Sequence, residues 1–143
     1  MSPKSINILL IEDNADHVEL IIKTLREDNV LNEVHVVASG EEAMDFLCRR
    51  GAYVDAPQPE LILLDIKLPG MNGLEFLMWI KADPKLKIIP VVVLSTSASD
   101  QEITESYRHG ANSYIIKPVD FKHFIKAIKD LKLYWMITST LPS

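Results

Sequence analysis

The stretch that most constrains this chain is Leu61-Ile-Leu-Leu-Asp65. Four consecutive aliphatic residues sit between Pro59 upstream and Pro69-Gly70 downstream, too short a span for a globular helix. Such a run reads as a strand buried on both faces, as in a parallel sheet. It ends on a carboxylate, which packing alone does not require. In open α/β sheets, ligands and chemistry gather at the carboxyl ends of the strands. Asp65 is therefore the first candidate functional residue.

The remaining segments repeat the pattern. Ile6–Ile11 is an apolar run ending at Glu12-Asp13-Asn14, and Asp13, Asn14 or Asp16 can start the helix carried by Val18, Leu20, Ile21, Ile22 and Leu25. Val34–Ala38 reads as a short strand. Ser39-Gly40-Glu41-Glu42 opens a helix with Ala43, Phe46 and Leu47 at core spacing, closed by Gly51. Ala52–Glu60 is a polar, proline-bearing loop that leads into the Asp65 strand. Pro69-Gly70-Met71-Asn72-Gly73 is turn chemistry, followed by a helix through Leu74, Phe76, Leu77 and Ile80 that stops at Asp83-Pro84. Pro90–Leu94 is a buried strand ending at Ser95-Thr96. Asp100 caps a helix running to His109-Gly110, and Ser113–Ile116 is a strand ending at Lys117-Pro118. Asp120 caps a last helix through Phe124, Ile128 and Leu131. Five strand–helix alternations predict a doubly wound α/β domain with a five-stranded parallel sheet and helices on both faces; of the common orders for such sheets, the flavodoxin-like 2-1-3-4-5 is the one adopted.

Bulk properties narrow the function classes. At 143 residues the chain suits one domain spanning 1–143, with a core over about 5–133 and an extension over 134–143. A net charge of −5 argues against a general nucleic-acid binder. The apolar runs are far shorter than a membrane span, and Glu12-Asp13 interrupts any signal-peptide core, so a cytoplasmic location is expected. Cys48, the single cysteine, suits a reducing compartment and is expected to be a small core residue. His17, His35, His109 and His123 lack metal-ligand spacing and read as surface or structural residues. Lys122, Lys126, Lys129 and Lys132 read as the solvated face of the last helix.

Taken together, the strand ends carry Glu12-Asp13, Asp65, Ser95-Thr96 and Lys117 on one sheet edge. With order 2-1-3-4-5 the switch point lies between strands one and three, which sets Asp13 beside Asp65. Two like charges about 4 Å apart repel by roughly 4 kcal/mol at an effective dielectric of 20. Three carboxylates against one lysine leave negative charge in surplus, so either a carboxyl takes a proton or a cation binds. Oxygen ligands with open positions suit Mg²⁺. A hydroxyl and an ammonium beside it are groups that bind a phosphoryl.

These residues resemble the response-regulator receiver domains of two-component signalling along nearly the whole chain. The resemblance rests on Glu12-Asp13, on Asp65, on the Pro69–Gly73 turn, on Ser95-Thr96, and on Tyr114 three residues before Lys117-Pro118. The long loop Ala52–Glu60, Lys67 and the Tyr134-Trp135 ending further resemble small receivers that partner phytochrome-type histidine kinases.

The resemblance implies that Asp65 accepts a phosphoryl group from a histidine kinase. It implies Mg²⁺ on Asp13, Asp65 and the Lys67 backbone carbonyl, with Glu12 acting indirectly. Ser95 would bond a phosphoryl oxygen, with Thr96 limiting access beside it. Lys117 would pair with the phosphoryl group, and Tyr114 would be an aromatic switch. A cis Lys117–Pro118 bond is also implied. Such a domain signals rather than acting as a conventional enzyme, though it can catalyse its own phosphorylation and slow dephosphorylation.

Two other readings fit the residues less well. A Mg²⁺-dependent phosphohydrolase of the haloacid-dehalogenase type would place a second aspartate two positions after its nucleophile, where Lys67 stands. A nucleotide-binding module would need a glycine-rich loop after strand one. Only a short tail extends past the last helix, so output is expected through a partner or a change of oligomer. Leu133, Tyr134, Trp135, Met136 and Ile137 are consecutive apolar residues that one sheet cannot bury from one side. Tyr134, Trp135 and Ile137 are therefore candidates for a homodimer surface involving the last helix and the Tyr114 strand.

Overall fold

A computed structural model describes residues 6–26, 32–118, 122, 123 and 126. Within them the chain runs β1 (Ile6–Ile11), α1 (Ala15–Arg26), β2 (Asn32–Val37), α2 (Gly40–Leu47), a 3-10 turn (Gly51–Tyr53), β3 (Leu61–Asp65), α3 (Gly73–Ala82), β4 (Val91–Ser95), α4 (Asp100–Arg108) and β5 (Ser113–Ile116). The strands form one sheet in the order β2-β1-β3-β4-β5, with each neighbouring pair parallel. The last helix expected from Asp120, and the residues Tyr134, Trp135 and Ile137, lie outside the described residues.

The aliphatic runs form strands because both sides of the sheet are covered. Every residue of β3 and β4 is buried. Alternate positions feed two separate cores. Leu9, Ile11, Ile62, Leu64, Val91 and Val93 pack with Phe46 of α2 and with Phe76, Leu77 and Ile80 of α3. Ile8, Leu10, Leu61, Leu63, Val92 and Leu94 face the other way, against Ile21 and Leu25 of α1. Full burial of each such side chain stabilises the fold by roughly 1.5–3 kcal/mol. Asn7, the one polar residue of β1, bonds through its Oδ1 to His35 Nε2 at 2.9 Å. Its backbone N–H donates to Glu60 Oε2, and its carbonyl accepts from Glu60 N. This pair fixes the register where β3 enters the sheet.

The caps hold the helices against the sheet edge. Asn14 Oδ1 accepts from the N–H groups of Asp16 and His17, so Asn14 starts α1. Ser39 caps α2, and Asn72 with Glu75 forms a reciprocal capping box on α3. Ser99, rather than Asp100, caps α4, and Asp100 becomes the first helical residue. Gly51 does not close α2. The helix ends at Leu47, Arg49 turns with φ 55°, and Gly51 opens the 3-10 turn inside the long loop. Cys48 consequently caps α2 from the outside and is exposed rather than in the core. Among the described residues, no helix is long and apolar enough to cross a membrane.

Candidate functional site at the carboxyl ends of the strands

The register places the strand ends side by side. Ile11, the last residue of β1, pairs with Leu64 of β3, so Glu12 and Asp65 follow at the same level. Asp65 pairs with Leu94, and Ser95 pairs with Ile116. The Lys117 N–H then donates to the Ser95 carbonyl at 2.7 Å. Four strands thus deliver Glu12-Asp13, Asp65, Ser95-Thr96 and Lys117 to one crevice. The Lys117–Pro118 peptide is cis.

Glu12, Asp13 and Asp65 each offer a carboxylate oxygen within 4.8 Å of the others. Asp13 is exposed, whereas Glu12 and Asp65 are buried. The Lys117 ammonium, only 7% exposed, bonds to Glu12 Oε1 and stands 3.6 Å from Asp65 Oδ2. Lys67 N–H donates to Asp65 Oδ1 at 3.2 Å, which holds that carboxylate from the loop side.

These contacts separate the two buried acids. Burial pushes the Asp65 carboxyl up to about 6, helped by its hydrogen bond and charge repulsion with Glu12, with Lys117 and the Lys67 N–H opposing. Burial also pushes Glu12 up, but the Lys117 hydrogen bond, the Asp65 contact and the Asn14 N–H outweigh it. Glu12 ends below its ordinary value. Glu12 is therefore the fixed counter-charge of Lys117, while Asp65 is the acid whose negative charge still lacks a full partner. An all-oxygen set with one exposed member, Asp13, fits a hard divalent cation that keeps part of its water shell.

Ser95 is fully buried, and its Oγ accepts from Ser97 N–H at 3.1 Å. Thr96 is exposed. Tyr114 is half-buried, and its hydroxyl donates to the Ser97 carbonyl at 3.0 Å. The β4–α4 loop is thus tied to the tyrosine on β5. Burial raises the Tyr114 hydroxyl above its ordinary value.

One site residue was not visible in the sequence pattern. His17, on the first turn of α1, places Nδ1 2.9 Å from Lys117 Nζ. It lines a small cavity of about 200 Å³ with Leu20, Ile21, Thr96, Lys117 and Pro118. Metal-ligand spacing could not find it, because its partner is a lysine 100 positions away. The usable signal was topological: the start of α1 sits on the same edge as the strand ends.

A parallel five-stranded sheet with an acidic triad and a buried lysine at its carboxyl edge defines a phosphoryl-handling α/β domain of the receiver type. A model of the response regulator receiver domain matches residues 8–129, and the chain belongs to that family. Response regulator Rcp1 of Synechocystis sp. (strain ATCC 27184 / PCC 6803 / Kazusa) is 38% identical over 136 residues, covering 95% of this chain and 92% of that protein. The crystal structure of its Mn²⁺-bound form superposes with a TM-score of 0.77, covering 96% of this chain and 99% of that one. The bacteriophytochrome response regulator AtBRR is 40% identical with a TM-score of 0.86, covering 99% and 100% of the two chains. The phosphorylated cyanobacterial phytochrome response regulator RcpA is 43% identical with a TM-score of 0.78, covering 97% and 99%.

Proposed function

We propose that Asp65 is the phosphoacceptor of this receiver and that a histidine kinase of the phytochrome type supplies its phosphoryl group. The observation that carries this reading is the division of labour between the two buried acids. Lys117 is committed to Glu12, and Asp65 is left as the carboxylate nucleophile at the mouth of the crevice. An Asp65 oxygen attacks phosphorus, the P–N bond of the phosphohistidine breaks, and the imidazole leaves with the electron pair and takes up a proton. The product is an acyl phosphate on Asp65. The phytochrome response regulators among its relatives support this partner class.

Mg²⁺ would be held by Asp13, Asp65 and the Lys67 carbonyl, with Glu12 acting indirectly. A divalent ion there neutralises charge on the transferring group. The Mn²⁺-bound relative supports a divalent site, and the oxygen-only donors favour Mg²⁺. Once Asp65 carries a group bringing close to two negative charges, Lys117 and the Ser95 hydroxyl are the donors it attracts. Thr96 flanks them, and Tyr114 responds through its bond to Ser97. The whole switch would operate in the cytoplasm, with residues 1–143 forming a single receiver domain.

The test is phosphorylation of the Asp65→Asn variant by kinase or acetyl phosphate. The expected result is a folded protein that accepts no phosphate by mass spectrometry, and undiminished incorporation would refute the assignment.

A homodimer is a second part of this reading. The α4–β5 side carries a groove of about 420 Å³ lined by Ile103, Tyr107, Tyr114 and Ile116. Tyr107 and Ile116 are 48% and 44% exposed. With Tyr134, Trp135 and Ile137 nearby in sequence to the last helix, this face would pair with a second copy. Sedimentation of the wild type and of Ile116→Glu, each with and without a phosphoryl mimic, decides it. A wild type monomeric in both states ends the proposal.

A further inference from the structure

The geometry points to His17 as a positioning residue that orients the Lys117 ammonium toward the Asp65 carboxylate. This inference rests on the reading of Asp65 as phosphoacceptor. A lysine ammonium has three N–H donors and accepts nothing. Three groups face it: Glu12 Oε1 in a hydrogen bond, His17 Nδ1 at 2.9 Å and Asp65 Oδ2 at 3.6 Å. Because the ammonium can only donate, His17 Nδ1 must be the acceptor, and the ring carries its proton on Nε2. The 3.7 Å separation between that same Nδ1 and Glu12 Oε1 is therefore proximity around a shared lysine, not an ion pair.

Two N–H bonds of Lys117 are thus held, one by Glu12 and one by His17. The third is left for the side on which Asp65 lies. Asp65 Oδ2 is just beyond hydrogen-bond length, which leaves room for a closer oxygen on a group attached to that carboxylate. The character of the acceptor matters here. A carboxylate at position 17 would cancel the lysine's charge and compete with the incoming group. A neutral ring nitrogen fixes direction and leaves the charge available.

The backbone holds His17 in place for this task. Its N–H donates to Asn14 Oδ1 at 3.1 Å, so the cap that starts α1 also fixes the ring's point of attachment. Asn14 directly follows the acidic pair, and its own N–H donates to Glu12 Oε2 at 3.2 Å. One short loop therefore positions both acceptors of Lys117.

The experiment uses the full chain, with acetyl phosphate as donor so that kinase docking is not what is read. It compares wild type, His17→Ala and His17→Asn, each also in a Lys117→Ala background. Readouts are the phosphorylation rate at saturating Mg²⁺, the affinity for beryllofluoride, the affinity for Mg²⁺ alone and the thermal midpoint. Loss of a hydrogen bond to a charged group predicts a roughly tenfold drop in rate and in beryllofluoride affinity for His17→Ala. Mg²⁺ affinity and midpoint should stay as in the wild type. Asparagine places Oδ1 where Nδ1 stood, so His17→Asn should recover to within about threefold, since the same class of bond is remade. In the Lys117→Ala background His17→Ala should have no further effect. An unchanged rate in His17→Ala overturns the proposal. So does an equal loss in His17→Asn, or a full loss that persists without Lys117. Phosphate incorporation by Asp65→Asn, run alongside, tests the phosphoacceptor reading separately.

Discussion

Gly73, the first residue of α3, lies directly against the carbonyl of Asp65. A Cβ added to Gly73 would stand 2.7 Å from that oxygen, 2.6 Å from Ile66 Cα and 2.9 Å from the Ile66 carbonyl oxygen. All three are backbone atoms, so no flexible side chain can yield. The Gly73 N–H also donates to the Ile66 carbonyl at 2.9 Å. The end of β3 and the start of α3 are therefore one rigid corner, and Asp65 projects from it. Gly73→Ala should cost roughly 1–3 kcal/mol through overpacking and should slow phosphorylation of Asp65. Urea denaturation and acetyl phosphate labelling check the two effects, and a variant as stable and reactive as wild type would contradict the corner.

Asp65 also predicts a pH dependence. Its carboxyl is raised from the ordinary 3.8 to about 6, with burial as the main cause. Between those values the native state holds a proton that the unfolded chain has lost. The group's contribution to stability is therefore full below the ordinary value and lost as pH rises through about 6. Glu12 runs the other way: its contribution is present above its ordinary value of 4.5 and lost as pH falls through its lowered native value. In chelator, Asp65→Asn should become more stable than wild type as pH rises across the Asp65 window, by on the order of 3 kcal/mol, then hold that lead. Denaturation curves at several pH values measure it. A difference that stays constant across the window would show that Asp65 does not titrate there.

Removing Lys117 tests the other side of the same cluster. Lys117→Ala leaves two buried carboxylates without their cation, and stranding a buried partner costs roughly 3 kcal/mol or more. The midpoint should fall in chelator and recover when Mg²⁺ is added. Mg²⁺ binding itself should persist, while phosphorylation no longer changes the conformation. Melting curves with and without the ion, and fluorescence on phosphorylation, provide the readings.

Asp13 should matter more to Mg²⁺ than Glu12. Glu12 is already bonded to Lys117, whereas Asp13 is exposed beside Asp65. Calorimetric titration should show Asp13→Asn weakening Mg²⁺ by at least tenfold, the order expected when a charged ligand is lost. Wild-type affinity in that variant would move the ion elsewhere.

The sheet was legible because its strands are buried on both faces. Runs such as Leu61–Leu64 and Val91–Leu94 have no other economical explanation, and each ends on the residue that enters the crevice. The strand order was the flavodoxin-like one of the common doubly wound orders, and with it the rule for open α/β sheets puts the acidic pair at the switch point, as the sheet has it. Local chemistry was less decisive where neighbours compete for one role. Ser99 and Asp100 are both good cap residues, and side-chain geometry selected the serine. Cys48 follows the core pair Phe46–Leu47, but the helix ends beneath it and the chain turns at Arg49, so it faces solvent. His17 was illegible for a different reason. Its meaning depends on Lys117, and only the folded sheet brings the two together.

The lysine that completes the crevice lies 105 positions after the glutamate it binds. A chain made from its N-terminus presents Glu12 and Asp13 first, then Asp65, and Lys117 long after. There is accordingly an interval during synthesis when three acids can meet at the growing sheet edge with no basic group of their own to meet them. During that interval the half-built crevice must take a proton or a cation from the surrounding solution.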